Sequence, residues 1–214
     1  MDESKLKLLS TSYASIIKSL IEQDAKFFMF KETIKWAFNY GEESAVIAAV
    51  GKDNVVHINL FSVMSNYLAK DLYTVEYFLL HEIRHIFQHL IIDDYQNGKE
   101  VPFDSELVKQ WMFEDNKENY IKALDQNGNE NDGYFKQDIE MDAYAFSLAV
   151  MKYKYDEKRI KHLYIPHQFG DDFWNIVNDW IKYFKEEQLW FVSTYYNCTH
   201  VESVVCLESR LYEK

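Results

Sequence analysis

Apolar residues recur every three or four positions over much of this chain, and a different pattern interrupts them once. Residues 4–23 carry this spacing, which predicts an amphipathic helix, and the aromatic-rich residues 26–39 are expected to continue the helical packing. Residues 45–50 and 55–60 are short apolar runs on either side of the turn-like segment 51–54. This arrangement predicts a β-hairpin of two short strands.

The second half of the chain is predicted to be mainly helical. Helical spacing predicts four helices, at about 72–92, 104–124, 134–151 and 171–187. The polar residues 125–133 are predicted to form a loop, whereas residues 189–211 fit a strand as well as a helix. Only six glycines and two prolines interrupt the chain, which favours long helices over many strands. The predicted fold is therefore α+β and mainly α-helical, with a small antiparallel hairpin or sheet.

Length and charge narrow the classes of protein to which the chain can belong. With 214 residues, 48% of them apolar, it suits a single domain, 1–214. The candidate motifs lie at about 45–150, and a helical C-terminal part is expected at about 151–214. A net charge of −12 disfavours nonspecific binding to nucleic acid or to an anionic membrane. It permits a basic protein partner or mimicry of nucleic acid.

Three features predict a cytoplasmic protein. Residues 1–5 do not have the character of a secretory signal, and the apolar stretch 75–92 carries too many ionisable side chains for a membrane span. Cys198 and Cys206 are the two cysteines, and reduced thiols are expected of them. Together with His200 they could bind a metal, although their spacing matches no recognised motif.

Candidate chemistry is concentrated in residues 81–85, His-Glu-Ile-Arg-His, which form an HExxH motif. In this motif two histidines one helical turn apart bind zinc, and the glutamate activates a water molecule. On the predicted helix His85 lies about 40° and Glu82 about 100° from His81, with apolar residues on the opposite side. His81 and His85 are therefore the expected ligands and Glu82 the expected general base. A third protein ligand is still required.

Glu140 is the favoured third ligand. It lies in the predicted helix 134–151 at the edge of an apolar face, where a carboxylate needs a compensating partner such as a metal ion. Asp138 and Asp142 are alternatives. On the helical wheel they lie about 160° and 200° from Glu140, which directs them away from Tyr144 and toward solvent. The sequence thus predicts a Zn²⁺ site of two histidines and Glu140.

The order of these motifs resembles that of the gluzincin metallopeptidases, and most of all the ImmA/IrrE type, which cleave repressors and stress regulators. The matching segments are Ile58-Asn59-Leu60, Phe78-Leu79-Leu80, the HExxH motif, His89, and residues 140–147 with the pattern Glu-x-x-Ala-x-x-Phe. The likeness covers about residues 45–150. It implies a zincin-like fold, with the active-site helix beside the small sheet, and a protein or peptide as substrate.

The chain departs from this family pattern at three points. Arg84 stands where the family often has a small residue, and Tyr144 stands where it has Asn or Asp. The 55 positions from His85 to Glu140 exceed the usual spacing, which implies an insertion at about 97–133.

The chemistry of such a site assigns further roles. Glu82 would take a proton from zinc-activated water and pass it to the leaving amine. Tyr144 and His167 are candidates for the hydrogen-bond donor to the tetrahedral intermediate. His89 lies about 12 Å from His81 along the helix axis, so it is expected to serve a structural role rather than to bind the same metal. The remaining histidines are expected on the surface or in the core: His57, His162 and His200.

The predicted function is zinc-dependent hydrolysis of a peptide bond in an intracellular protein substrate. An alternative, motivated by the charge of −12 and by Arg84 and Tyr144, is an acidic protein-binding inhibitor or nucleic-acid mimic with an unused zinc site. A purely structural metal site is a third hypothesis, but it would need a fourth protein ligand. The sequence leaves the oligomeric state open.

Overall fold

A computed structural model of the protein describes residues 3–28, 33–39, 46–125, 127–194 and 202–204. The chain divides into two compact units, one of Met1–Ile83 with Glu187–Lys214 and the other of Arg84–Glu186. The single domain expected over 1–214 stays a prediction. None of the helices in the described ranges combines the length and the hydropathy that a bilayer span requires.

The first unit contains a small sheet and the N-terminal helices. Its described elements are α1 (Glu3–Asp24), a 3₁₀ turn (Ala25–Phe27), β1 (Lys35–Asn39), β2 (Ala48–Val50), β3 (Val55–Asn59), α2 (Leu60–Leu68), the start of α3 (Leu72–Gln96), and β4 (Glu202–Val204). The strand order is β2-β3-β1-β4. β2 and β3 are antiparallel, with Ala48 opposite Ile58, which confirms the predicted hairpin.

The prediction of helical packing throughout 26–39 is wrong, because residues 35–39 form strand β1. Trp36, Ala37 and Phe38 are all buried, and the strand lies between β3 and β4. A short apolar run has the same appearance in a buried strand and in a buried helix, so periodicity could not separate the two. Because β1 is parallel to both neighbours, the sheet is mixed rather than purely antiparallel.

Two side chains determine where α2 and α3 begin. The side-chain oxygen of Asn59, the last residue of β3, accepts a hydrogen bond from the backbone nitrogen of Ser62 at 3.2 Å. Asp71 accepts from the backbone nitrogen of Thr74 at 3.2 Å and from its hydroxyl at 2.7 Å. These contacts satisfy amide groups that a helix leaves without partners in its first turn. Asp71 therefore caps α3, which ends at Gln96, beyond the predicted end at 92.

The helices described in the second unit lie between Arg84 and Glu186. The unit contains α3 from Arg84 onward, α4 (Ser105–Glu114), a 3₁₀ turn (Tyr134–Lys136), α5 (Asp138–Lys154), α6 (Glu157–Ile160), and α7 (Asp171–Thr194) as far as Glu186. The helix expected over 104–124 ends early, at Glu114. A backbone bridge joins Leu124, just before the predicted loop, to Glu130 within it.

The C-terminal stretch 189–211, for which the sequence left strand and helix open, contains some of each. Residues 189–194 complete α7, and residues 202–204 form β4. Cys198, His200 and Cys206 lie outside the described residues, so the metal site considered for them stays a prediction.

α5 is buried on all sides over much of its length. Every residue from Asp142 to Met151 is buried, and Asp142 itself is 7% exposed. The prediction that Asp142 faces solvent is therefore wrong. A helical-wheel argument assumes one wet face, and a helix enclosed by its neighbours has none over the enclosed turns.

Glu114 connects the end of α4 to the start of α5. Its two carboxylate oxygens accept hydrogen bonds from the backbone nitrogens of Asp138, at 3.0 Å, and Ile139, at 2.9 Å. Gln110 donates a third hydrogen bond, at 2.8 Å. We expect Glu114→Ala to lower the free energy of unfolding by about 1–2 kcal/mol, as for the loss of a strong N-cap. Urea denaturation measures this loss, and the exposed Glu118→Ala should show no comparable effect.

The same carboxylate makes stability depend on pH. Burial raises the pKa of Glu114 above its ordinary value, although the three hydrogen bonds act in the opposite direction. A carboxyl whose pKa is higher in the folded state contributes stability at acid pH that is lost as the pH rises through that pKa. Relative to Glu114→Gln, the parent protein should therefore become less stable between acid and neutral pH. A difference that does not change with pH would contradict this assignment.

Candidate metal centre

α3 presents the two histidines of the HExxH motif one helical turn apart. His81 is 3% exposed and His85 is 8% exposed. Residues four positions apart in a helix lie on the same side, so both imidazoles project in one direction. Two buried imidazoles on one helix side are the first part of a metal site.

Glu140, in the first turn of α5, supplies a carboxylate to the same place. It is 1% exposed, and its Oε2 lies 3.4 Å from Nε2 of His85. One ligand atom from each of His81, His85 and Glu140 lies within 4.8 Å of the others. In a tetrahedral zinc site, bonds of about 2.0–2.1 Å place neighbouring ligand atoms about 3.3 Å apart. The spacing of His85 and Glu140 matches this geometry, and the buried group could bind a metal ion.

Gln88 determines which nitrogen of His85 faces Glu140. It is 0% exposed, and its amide nitrogen donates to the carbonyl oxygen of Ile139 at 2.9 Å and to Oδ2 of Asp142 at 2.8 Å. The amide oxygen is thereby directed at Nδ1 of His85, 2.7 Å away. Because an amide oxygen only accepts, Nδ1 carries a proton, and Nε2 is the ring nitrogen that could bind a metal. A metal-binding imidazole requires this tautomer.

Arg84, one of the departures from the family pattern, forms a buried ion pair with Asp142. Its Nε donates to Oδ2 at 2.8 Å and its Nη2 donates to Oδ1 at 3.3 Å. The guanidinium carbon lies 4.4 Å from the ring centre of Phe87 and 4.7 Å from that of Trp180. Because Asp142 also accepts from Gln88, the ion pair is connected through Gln88 to the ring of His85.

Two tyrosines from the segment between α4 and α5 lie at Glu140. The hydroxyl of Tyr120 donates to Oε1 of Glu140 at 2.9 Å. Tyr134 is 8% exposed, and its burial, together with the negative charge of Glu140, raises its pKa well above the ordinary value. The two rings meet edge to face with their centres 6.3 Å apart. Glu140 is therefore held by residues of the segment that follows α4 as well as by its own helix.

The proposed catalytic residues occupy different environments. Glu82 follows His81 on α3 and is 8% exposed. Tyr144, one turn after Glu140, is 6% exposed, and its ring centre lies 5.6 Å from that of Phe169. His167 is exposed in the turn between α6 and α7 and is not a member of the group around Glu140. The roles assigned to these three residues stay predictions.

Two other histidines contact polar partners of their own. Nε2 of His89 lies 3.4 Å from a carboxylate oxygen of Asp115, and Nδ1 of His57 lies 3.4 Å from the side-chain nitrogen of Asn39. Within the described ranges neither belongs to the group of metal-ligand atoms. The structural role expected of His89 stays a prediction.

Sequence reasoning missed three residues of the site: Gln88, Asp142 as a buried partner, and Tyr120. Gln88 could have been found, since it lies three positions after His85 on the same helix and such positions face each other. Tyr120 lies 20 positions before Glu140, in the segment between α4 and α5, so no period in the sequence links the two.

Comparison with known proteins found no relative: no family model, no curated protein and no solved structure matches the chain.

Proposed function

We propose that this protein is a zinc-dependent metallopeptidase that hydrolyses a peptide bond in a protein substrate. The observation that carries the proposal is the buried group of His81, His85 and Glu140 on an HExxH helix and a second helix. Isolated ionisable groups are expensive to bury, and a shared metal ion is the partner that suits two imidazoles and a carboxylate. The resemblance of the motifs to gluzincins supplies the reaction class.

The donor set favours a catalytic site over a structural one. Structural zinc sites are closed by four protein ligands, whereas catalytic sites keep one position for water or substrate. In the part of the chain that the structure describes, the group has three members. The hydrogen bond from His85 to Gln88 further supports ligation, because it leaves Nε2 of that ring as an acceptor for the metal.

The chain's own residues would share the hydrolysis between them. A zinc ion held by His81, His85 and Glu140 would lower the pKa of a coordinated water to about 7 and polarise the substrate carbonyl. Glu82, next to His81, would accept the proton of the attacking water and transfer it to the nitrogen of the leaving amine. Burial of the ligands excludes bulk water, which strengthens each of these electrostatic interactions.

The acidic interaction protein remains the alternative, but part of its motivation has a structural explanation. Arg84 forms a buried ion pair and Tyr144 packs in an aromatic cluster, so neither substitution needs a lost function to explain it. The net charge of −12 is compatible with either function, so it does not distinguish between them.

The test is a zinc titration of the chelator-treated protein followed by a search for cleavage. We expect about one equivalent of zinc for the parent protein. Glu140→Gln should lose more than the roughly 100-fold in affinity that removing an outer partner of a ligand costs. Glu130→Gln, at an exposed glutamate, is the matched control and should bind like the parent. The zinc-loaded protein is then incubated with a proteome-derived peptide library, and new termini are identified by mass spectrometry.

Two outcomes would reject the proposal. If the parent protein takes up no zinc, or if Glu140→Gln binds zinc as tightly as the parent, the proposed metal centre is ruled out. Full zinc occupancy without cleavage of the library or of whole proteins in cells would rule out peptidase activity. It would favour the acidic interaction protein.

A further inference from the structure

The two carboxylate oxygens of Glu140 have different neighbours. Oε2 lies 3.4 Å from Nε2 of His85, on the side of the metal-ligand group. Oε1 accepts a hydrogen bond of 2.9 Å from the hydroxyl of Tyr120. We infer that Tyr120 is a positioning residue that makes Glu140 a ligand through one oxygen only, with Oε2 toward the metal and Oε1 held away from it. This inference rests on the proposed metal site and specifies how that site is kept open.

Gln137 holds the backbone next to Tyr120. Gln137 is 4% exposed, and its side chain hydrogen-bonds to both backbone groups of Ile121. Its Oε1 accepts from the nitrogen of Ile121 at 2.9 Å, and its Nε2 donates to the carbonyl oxygen at 3.0 Å. Gln137 immediately precedes α5, the helix that carries Glu140. One short stretch of chain therefore holds both the ligand and the backbone that presents Tyr120.

Tyr134 packs against the ring of Tyr120. Its ring packs edge to face on Tyr120 with the centres 6.3 Å apart, which restrains the orientation of that ring.

The number of carboxylate oxygens that bind determines how many coordination positions stay open on the metal. A carboxylate that binds with both oxygens occupies two positions on the metal, and with two histidines it fills a four-coordinate site. A carboxylate that binds with one oxygen leaves the fourth position for water, as hydrolysis requires. Tyr120 lies in the stretch 97–133, which the resemblance to gluzincins implies is an insertion. That stretch would then help to set the geometry of Glu140.

The experiment compares Tyr120→Phe with Tyr164→Phe. Tyr164 is a matched control, because its hydroxyl also donates to a carboxylate, Oε1 of Glu130, at 3.0 Å. The two tyrosines are similarly exposed, 38% for Tyr120 and 41% for Tyr164. Each variant removes one hydroxyl and one hydrogen bond, and only Tyr120 contacts the metal-ligand group. Zinc affinity is measured by competition with a chromogenic chelator, and folding of the metal-free proteins by urea denaturation.

Tyr120→Phe is expected to bind zinc about 10- to 100-fold more weakly than the parent, the usual effect of losing the partner of a ligand. Tyr164→Phe should bind zinc as the parent does. The visible spectrum of the Co²⁺-loaded proteins gives a second readout, since it responds to the identity and geometry of the ligands. It should change in Tyr120→Phe, where the second oxygen of Glu140 would take the position that water holds in the parent, and stay unchanged in Tyr164→Phe.

Equal zinc affinities and equal Co²⁺ spectra in all three proteins would overturn the role of Tyr120 while leaving the metal site intact. A parent protein that binds neither Zn²⁺ nor Co²⁺ would overturn the metal site itself, and the inference with it. The two failures are therefore distinguishable in one set of titrations.

Discussion

Asp142→Ala should lower the free energy of unfolding by about 3–5 kcal/mol, because it leaves the guanidinium of Arg84 buried without its partner. The side chain of Arg84 is 1% exposed and that of Asp142 is 10% exposed, so water cannot replace the lost carboxylate. Urea denaturation measures the loss. The same change removes an acceptor from Gln88, so zinc affinity should also fall as the ring of His85 loses its orientation.

Two comparisons separate this effect from the general cost of a substitution. Glu106→Ala breaks the exposed ion pair with Lys109 and should leave stability nearly unchanged, since solvent screens such pairs. The double variant Arg84→Met with Asp142→Leu removes both charges and should recover most of the lost stability. A single Asp142→Ala variant as stable as the parent would show that the ion pair is not buried in solution.

Glu82→Gln is expected to reduce peptide hydrolysis by about 10²- to 10⁴-fold, the range over which a general base contributes to catalysis. The substitution preserves the shape of the side chain and removes only its ability to take a proton. Zinc content should stay that of the parent, because Glu82 is not a member of the metal-ligand group. Initial rates on a substrate identified from the peptide library, with metal analysis of the same samples, provide the measurement.

Glu76→Gln is the matched control for this variant. Glu76 is a second buried glutamate of α3, 2% exposed, and helical periodicity places it about 220° from His81, whereas Glu82 lies about 100° away. The folded fraction of Glu76→Gln should therefore hydrolyse peptide at the rate of the parent protein. Unchanged hydrolysis in Glu82→Gln would exclude Glu82 as the base.

The site depends on two sets of contacts that meet at the start of α5. On one side Arg84, Asp142 and Gln88 orient the ring of His85. On the other side Tyr120 holds one oxygen of Glu140. Both sets orient side chains of a group that could bind a metal ion, and partners of this kind tune the geometry of metal ligands.

The sequence by itself determined the features that depend on neighbours along the chain. The spacing of apolar residues was sufficient to predict α3, α7 and most of α5, since a helix repeats every 3.6 residues and records its buried side in that period. The HExxH motif placed two imidazoles on one helix side for the same reason. The hairpin of β2 and β3 was also predictable, because a short turn joins its strands.

Only the tertiary structure decided the features that depend on residues distant in the chain. Residues 35–39 form a strand because β3 and β4 lie on either side of them, and their apolar run is equally compatible with a helix. Asp142 is buried because its helix is enclosed and Arg84 lies opposite, 58 positions earlier. Tyr120 reaches Glu140 across a segment with no regular period. Periodicity describes which side of an element is apolar, whereas the identity of a buried polar partner is settled by the packing of separate elements.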